Sequence, residues 1–181
     1  KFINEFEVEN INSRIWSGIR ERILSKNTIV VNDRYSKKER IIHKDYNEKE
    51  EVNGLLRYLT DQTGGNIHDN GTVFISSNSI LKEKNHPKNL VNFREDDLTC
   101  FQSRSGIPDA FVCFDLKDRK IQLTSYTIKT HKKYFHLKNW VIEVSNDEAN
   151  WLKIDEHVNE TELNQSKVVR NFQIKKETEF Y

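Results

Sequence analysis

The chain has 181 residues and is almost neutral: 29 Lys and Arg against 28 Asp and Glu give a formal net charge of +1. This balance offers no electrostatic reason to bind nucleic acid or an anionic membrane surface, so neither is predicted as a partner. No apolar run approaches the ~20 residues that span a bilayer. The ten Phe, six Tyr and three Trp can fill the core of one ordinary domain with an appendage.

Cysteine usage gives an expectation about the compartment. Cys100 and Cys113 each stand beside a phenylalanine, and two cysteines are too few for a disulfide framework. We expect both to be small buried hydrophobes in an intracellular, cytoplasmic protein. Because the chain begins at Lys1 and contains no methionine, we also expect it to be a piece of a longer protein.

The first 51 residues are predicted to be a helix followed by a charged linker. Apolar residues recur every three or four positions from Val8 to Ile23, which predicts an amphipathic helix over 8–24. A short strand is predicted at Thr28–Val31. Residues 33–51 are mostly charged and are interpreted as a solvated linker, with room for a helical turn.

A glycine-rich loop separates a short helix from the β-rich part of the chain. The apolar residues of 52–60 predict the helix, and G-G-N-I-H-D-N-G at 64–71 predicts the loop. Two adjacent glycines beside Asn66, with a third at Gly71, indicate positive φ angles.

After the loop, short strand patterns alternate with turn-forming residues. Such punctuation favours a mainly β sandwich or jelly roll over a parallel α/β sheet. Residues 110–116 lack alternation, as a strand covered on both faces would. Between Leu123 and Tyr126 the apolar parity changes, which a β-bulge would explain. The predicted strands are 72–76, 110–116, 121–130, 140–145, 151–154 and 168–174.

The clearest single pattern is a hairpin at 138–155. Trp140 heads an alternating run, turn formers follow at 145–147, and a second run starts at Trp151. We expect Trp140 in the core, together with Trp151, Phe111 and Phe114.

Several short motifs follow one another along residues 64–151. They are G-G-N-I-H-D-N-G at 64–71, H-P-K-N at 86–89, F-D-L-K-D-R at 114–119, Y-T-I-K-T at 126–130, H-L-K-N-W-V-I-E at 136–143, S-N-D at 145–147 and Trp151. Taken in this order, they resemble the discoidin-like (F5/8 type C) domain of the galactose-binding-like superfamily. The resemblance is to a subgroup found in intracellular BTB-domain proteins of protists, and it covers residues 52–181. It implies a jelly-roll domain there, with residues 1–51 as the segment that precedes it.

Two departures from that family pattern matter. Glu148 stands where the family usually has glycine after Ser-Asn-Asp, so the hairpin turn must be built without it. Such domains also have further strands beyond a position like Tyr181, so the closing strands are expected either to be missing or to lie in a part of the protein beyond this sequence.

Candidate ligand-contacting residues lie in the predicted connections, because loops at the ends of a sandwich commonly carry binding residues. That several of these loops share one end is implied by the resemblance. Local turn chemistry is the competing interpretation of the 64–71 loop, in which its polar side chains bond nearby backbone. The candidates are His68, Asp69, Arg104, His131, Lys133 and His136.

No catalytic residue, metal or cofactor is predicted. His131 and His136 are too few for a zinc site, and no nucleophile, base and orienting group occur in a recognisable arrangement. A structural calcium stays open, because loop carboxylates serve equally in turns. The sequence favours a non-catalytic recognition module for a protein, peptide or glycan. A metal-assisted or carboxylate-based hydrolase is the alternative, and a structural spacer stays open.

Overall fold

The fold is described from a computed structural model, which covers residues 5–6, 14–17, 27–33, 38–44, 46–93, 99–131, 136–176 and 178–181. Up to residue 40 the description is of the backbone. The elements in chain order are β1 (Glu5–Phe6), β2 (Arg14–Ser17), β3 (Asn27–Asp33), β4 (Lys38–Lys44), a 3₁₀ turn (Glu48–Glu50), α1 (Leu55–Thr63), β5 (Phe74–Ser77), two 3₁₀ turns (Glu83–Asn85 and Pro87–Val91), β6 (Val112–Asp115), β7 (Lys120–Gln122), β8 (Ser125–Lys129), β9 (Trp140–Ser145), β10 (Leu152–His157) and β11 (Val169–Gln173).

The strands form three antiparallel sheets. A five-stranded sheet has the order β10-β9-β2-β6-β5, a four-stranded sheet has the order β1-β4-β3-β7, and β11 pairs with β8 alone. Within the described residues, α1 is the single α-helix, so the predicted β-rich character is confirmed. No helix in this part of the chain is long and apolar enough to cross a membrane.

The helix predicted at 8–24 is wrong where the chain is described. Arg14–Ser17 is a strand whose backbone pairs with β6 on one side and β9 on the other. Four of the apolar positions in 8–24 are isoleucine, whose β-branched side chain favours strands, and Gly18 disfavours a helix interior. The spacing therefore fitted a helix while the residue types favoured a strand. The remainder of 8–24 lies outside the described residues.

The segment predicted as a charged linker also contains regular structure. Lys38–Lys44 is a strand paired with β3 along its whole length. The expected helical turn is present at Glu48–Glu50, where Asn47 caps it by accepting from the Lys49 N–H at 3.0 Å. β3 also pairs with β7, so strands from the first 51 residues join sheets with later strands.

Two predictions from apolar patterns are confirmed. The helix near 52–60 is α1, whose Leu55, Leu56 and Leu59 are buried. All four residues of β6 are buried, as expected for a strand covered on both faces. Both elements contribute to one core cluster.

The parity change between Leu123 and Tyr126 marks a change of sheet and not a β-bulge. β7 ends at Gln122 in the four-stranded sheet, and β8 begins at Ser125 in the two-stranded sheet. Thr124 is exposed between them while both flanking apolar residues are buried. When a chain crosses from one sheet to another, the set of alternate residues that faces the core changes, as it also does at a β-bulge.

Aromatic side chains join the β8–β11 pair to the β9–β10 hairpin. Trp140 is 4% exposed, and its indole Nε1–H donates to the Tyr126 hydroxyl at 2.8 Å. Phe172 on β11 stacks on Tyr126 and meets Trp140 edge-on, with ring centroids 5.5 and 5.2 Å apart. Burial of Trp140 and Phe114 is thus confirmed, whereas Phe111 and Trp151 are only half-buried.

The turn between β9 and β10 is built without glycine. Glu148 occupies the left-handed region at φ +63°. The Asp147 carboxylate accepts from the backbone N–H groups of Ala149 and Asn150 at 2.9 and 2.7 Å. These bonds, led by those from Asn150, hold the pKa of Asp147 well below its usual range. The carboxylate therefore organises a backbone conformation that a glycine would adopt more easily.

Candidate functional site

Left-handed glycines shape the loop that follows α1. Gly64 ends the helix at φ +71°, with its N–H donating to the Thr60 carbonyl at 3.0 Å. Gly65 and Gly71 have φ angles of +138° and +77°. The predicted positive φ angles are thus confirmed, and they turn the chain so that residues 66–70 reach β5 and the 3₁₀ turns.

His68 caps the outer edge of β5. Among the described strands this one pairs with β6 alone, and the Ile75 N–H donates to Nδ1 of His68 at 3.0 Å. The imidazole also stacks on Phe74, with ring centroids 5.5 Å apart. Burial, and secondly the neighbouring His86, lower the pKa of His68. The Nδ1 atom thus has a structural role, because it accepts a hydrogen bond from the backbone of β5.

Contacts between the 64–71 loop and the 3₁₀ turn Pro87–Val91 hold Asp69 beside Lys88. The Asn66 amide donates to the Lys88 carbonyl at 3.0 Å, while its Oδ1 accepts from the His68 N–H at 2.9 Å. Lys88 Nζ lies 3.0 Å from the Asp69 carboxylate. His86 accepts from the Lys88 N–H through Nδ1, and burial lowers the pKa of His86. Asn66 and His86 therefore act here as turn and cap residues that bond nearby backbone groups.

A polar groove, hereafter the neutral groove, opens between α1, the 64–71 loop and the 3₁₀ turn Pro87–Val91. Its volume is about 520 Å³. Two ion pairs border it, Arg57–Asp61 at 2.8 Å and Lys88–Asp69 at 3.0 Å, so the formal charges of the described lining residues cancel. The lining residues are Arg57, Thr60, Asp61, Gly65, Asn66, Asp69, Lys88, Asn89, Val91, Asn92 and Phe93.

A second concavity, hereafter the basic pocket, lies beside the 3₁₀ turn Glu83–Asn85 and has a volume of about 250 Å³. It contrasts with the groove because the described residues of its lining include cations and no carboxylate. Arg104 lies nearby: its Nε donates to the Ile80 carbonyl at 3.1 Å, next to Leu81 in the lining. The lining residues are Leu81, Lys82, Lys84, Asn85, Cys100, Gln102 and His131.

The predicted ligand-contacting residues fall into separate groups. His68 and Asp69 belong to the 64–71 loop, and Asp69 lines the neutral groove. Arg104 and His131 belong to the basic pocket or its border. His136 is half-buried and lines neither concavity. Lys133 lies outside the described residues.

Sequence reasoning missed most of the residues that line the two concavities. The Arg57–Asp61 ion pair could have been predicted from the sequence, since opposite charges four residues apart on a helix lie next to one another. Lys88 had no such signal beyond its position in a turn, because its partner Asp69 comes from a distant segment. Lys82 and Lys84 had none either, because other residues of the basic pocket, such as Cys100 and His131, come from distant segments.

The described residues contain no group of three or more His, Cys, Asp or Glu placed to hold a metal ion. Comparison with known proteins gives no match to a family model, a curated protein or a solved structure. The chemistry of the two concavities must therefore be argued from their own side chains.

Proposed function

We propose that the chain is a non-catalytic recognition module that binds a peptide segment of a protein partner. The observation that carries this proposal is the neutral groove, a concave surface of about 520 Å³ bordered by loop and helix side chains. Concave sites with a few fixed polar groups are typical of ligand binding.

Charge balance in the groove favours a ligand with polar but uncharged groups. Each cation is already paired with a carboxylate, so a free anion would have to compete with Asp61 or Asp69. A peptide backbone presents N–H and C=O groups that carboxylate, amide and ammonium groups can bind without disturbing net charge. The groove therefore suits a peptide better than a phosphate-rich ligand.

The aromatic residue of the groove favours a peptide over a glycan. Sugar-binding sites commonly offer an open aromatic face, but the guanidinium of Arg57 lies over the Phe93 ring at 5.4 Å from its centroid. This covers one face of the ring. Glycan binding therefore remains the second ligand class.

The discoidin-like resemblance supports the same proposal. A jelly-roll domain carries its recognition loops at the ends of the sheets, and antiparallel pairing of the strands is compatible with that architecture. Cys100 and Cys113 are not joined in a disulfide, and this is compatible with the cytoplasmic location that we propose.

A peptide-display selection against the intact 181-residue chain, run beside a glycan array, tests this function. We expect selected peptides to lose at least about tenfold in affinity on Lys88→Ala, because truncation leaves Asp69 unpaired in the groove. Lys153→Ala is the matched control, since it breaks a comparably exposed ion pair with Glu156 at 2.8 Å on β10. Both variants should melt like the parent, because exposed ion pairs contribute little to stability.

Two results would contradict the proposal. One is selection of glycans with no peptide enriched. The other is an equal affinity loss for the groove variant and its β10 control.

A further inference from the structure

We propose that the basic pocket is a binding site for a phosphate group, distinct from the neutral groove. Lys82 and Lys84 line it, and Arg104 lies at its border. Neither lysine, nor Arg104, makes an ion pair with any carboxylate of the described residues. By contrast, Lys88, Lys117 and Lys153 each have a carboxylate partner within 3.0 Å.

Local charge is therefore positive and uncompensated in the described lining. Glu83, between the two lysines in sequence, is exposed and does not line the pocket. Cations gathered at a concave surface attract an anion, and two or more ammonium or guanidinium groups are the usual partners of phosphate. The imidazole-bearing residue His131 adds a further possible donor to the lining.

Side-chain hydrogen bonds fix the backbone that carries these cations. Asn85 is 5% exposed, and its amide donates to the carbonyl and to Sγ of Cys100, both at 3.4 Å. Asn89 donates to the carbonyls of Lys84 and Cys100 at 2.8 and 3.0 Å. The backbone carrying Lys84 is thus tied to that of Cys100, which also lines the pocket. Such pre-organisation lowers the entropic cost of binding.

Size sets an upper limit on the ligand. A volume of about 250 Å³ holds a phosphate and part of the group attached to it, given that a water molecule in the liquid has about 30 Å³. A phosphorylated side chain and a small phosphorylated metabolite share this chemistry. The pocket recognises the phosphate in either case.

Cys100 provides a built-in reporter of occupancy, because it lines the pocket while Cys113 is buried elsewhere in β6. Alkylation by neutral iodoacetamide, read by peptide mapping of the intact chain, should slow as inorganic phosphate is added at constant ionic strength. Phosphoserine and a phosphopeptide are the parallel arms. Stronger protection by the phosphopeptide identifies a phosphorylated partner, and equal protection by all three identifies the phosphate alone as the recognised group.

The double variant Lys82→Ala/Lys84→Ala should raise the phosphate concentration for half-protection by at least about tenfold, since two charged hydrogen-bond donors are lost. Lys49→Ala/Lys153→Ala removes two exposed lysines outside the pocket and serves as the charge-matched control. Protection no greater than that of chloride would overturn the proposal. Protection that survives the first double variant would do the same. Neither result bears on peptide binding in the neutral groove.

Discussion

Removal of the His68 imidazole should weaken the edge of the five-stranded sheet. His68→Leu keeps a side chain of moderate size but has no acceptor for the Ile75 N–H. His68→Asn is the matched variant, because its Oδ1 can take the position of Nδ1 and accept the same hydrogen. The two substitutions therefore separate loss of the hydrogen bond from loss of the ring.

The expected loss of stability follows from the environment of the Ile75 N–H, which His68→Leu leaves without an acceptor. Ile75 is 1% exposed, and its N–H is bonded to Nδ1 at 3.0 Å. An unsatisfied buried donor costs about 1–3 kcal/mol, and the lost ring contacts with Phe74 and His86 add up to about 1 kcal/mol. For a chain of this size about 1 kcal/mol corresponds to about 2–4 °C in Tm. The total of about 1–4 kcal/mol predicts that His68→Leu lowers Tm by about 2–16 °C, and that His68→Asn lowers it by much less.

The same histidine should make stability depend on pH. Its pKa is lowered in the folded chain by burial and by His86, while Lys88 acts in the same direction and Asp69 opposes it. The unfolded chain then binds a proton more readily than the folded chain below the ordinary value of 6.5. Stability from this group is complete above about pH 6.5 and is lost as pH falls through the folded pKa. His86, whose pKa is lowered by burial, contributes with the same sign.

Urea unfolding of the parent and both variants, measured at intervals between pH 8 and pH 5, tests these expectations together. His68→Asn should retain most of the stability at pH 8 and show a smaller loss on acidification than the parent. The reasoning would be refuted if His68→Leu matched the parent at pH 8, or if the acid dependence of His68→Asn equalled that of the parent.

Four further substitutions have defined expectations. Trp140→Ala should cost about 3–5 kcal/mol, because it deletes a buried aromatic and leaves the Tyr126 hydroxyl without its donor; a loss of only a few degrees in a thermal melt would contradict this. Gly65→Ala should destabilise by about 1 kcal/mol or more through its φ of +138° alone, since no atom lies within 4 Å of an added Cβ; unchanged chemical denaturation would indicate that the loop relaxes. Glu148→Gly should stabilise by up to about 1 kcal/mol by relieving its left-handed backbone, and a lower urea midpoint would argue against it. His131→Ala, but not His136→Ala, should weaken the protection of Cys100 by phosphate, because His131 lines the basic pocket and His136 lines neither concavity; equal protection in the two variants would argue against a role for His131.

Local patterns in the sequence predicted the elements that local forces determine. The hairpin at Trp140, the buried strand β6 and the positive φ angles of the glycine loop follow from alternation and from turn chemistry within a few residues. α1 follows from its own leucines. These features needed no knowledge of the remainder of the chain.

What the sequence could not predict depends on pairing between distant segments. The isoleucine spacing around Ile15 fitted a helix, and only the backbone partners in β6 and β9 make this segment a strand. The parity change after Leu123 had two geometrical explanations that look identical in sequence. The role of His68 depends on a strand seven residues away that happens to be a sheet edge.

The position of β2 has a consequence for the order in which the sheet is completed. β2 is synthesised well before both of its neighbours, because β6 and β9 lie far beyond it in the chain. At about 5–20 residues per second, the wait for β9 during translation amounts to several seconds. During that time β6 and β5 can pair, but β6 keeps one edge open until β2 is placed between it and the hairpin. Placement of β2 is therefore the step that closes this sheet, and the strand that completes it is the one that was synthesised before the other four.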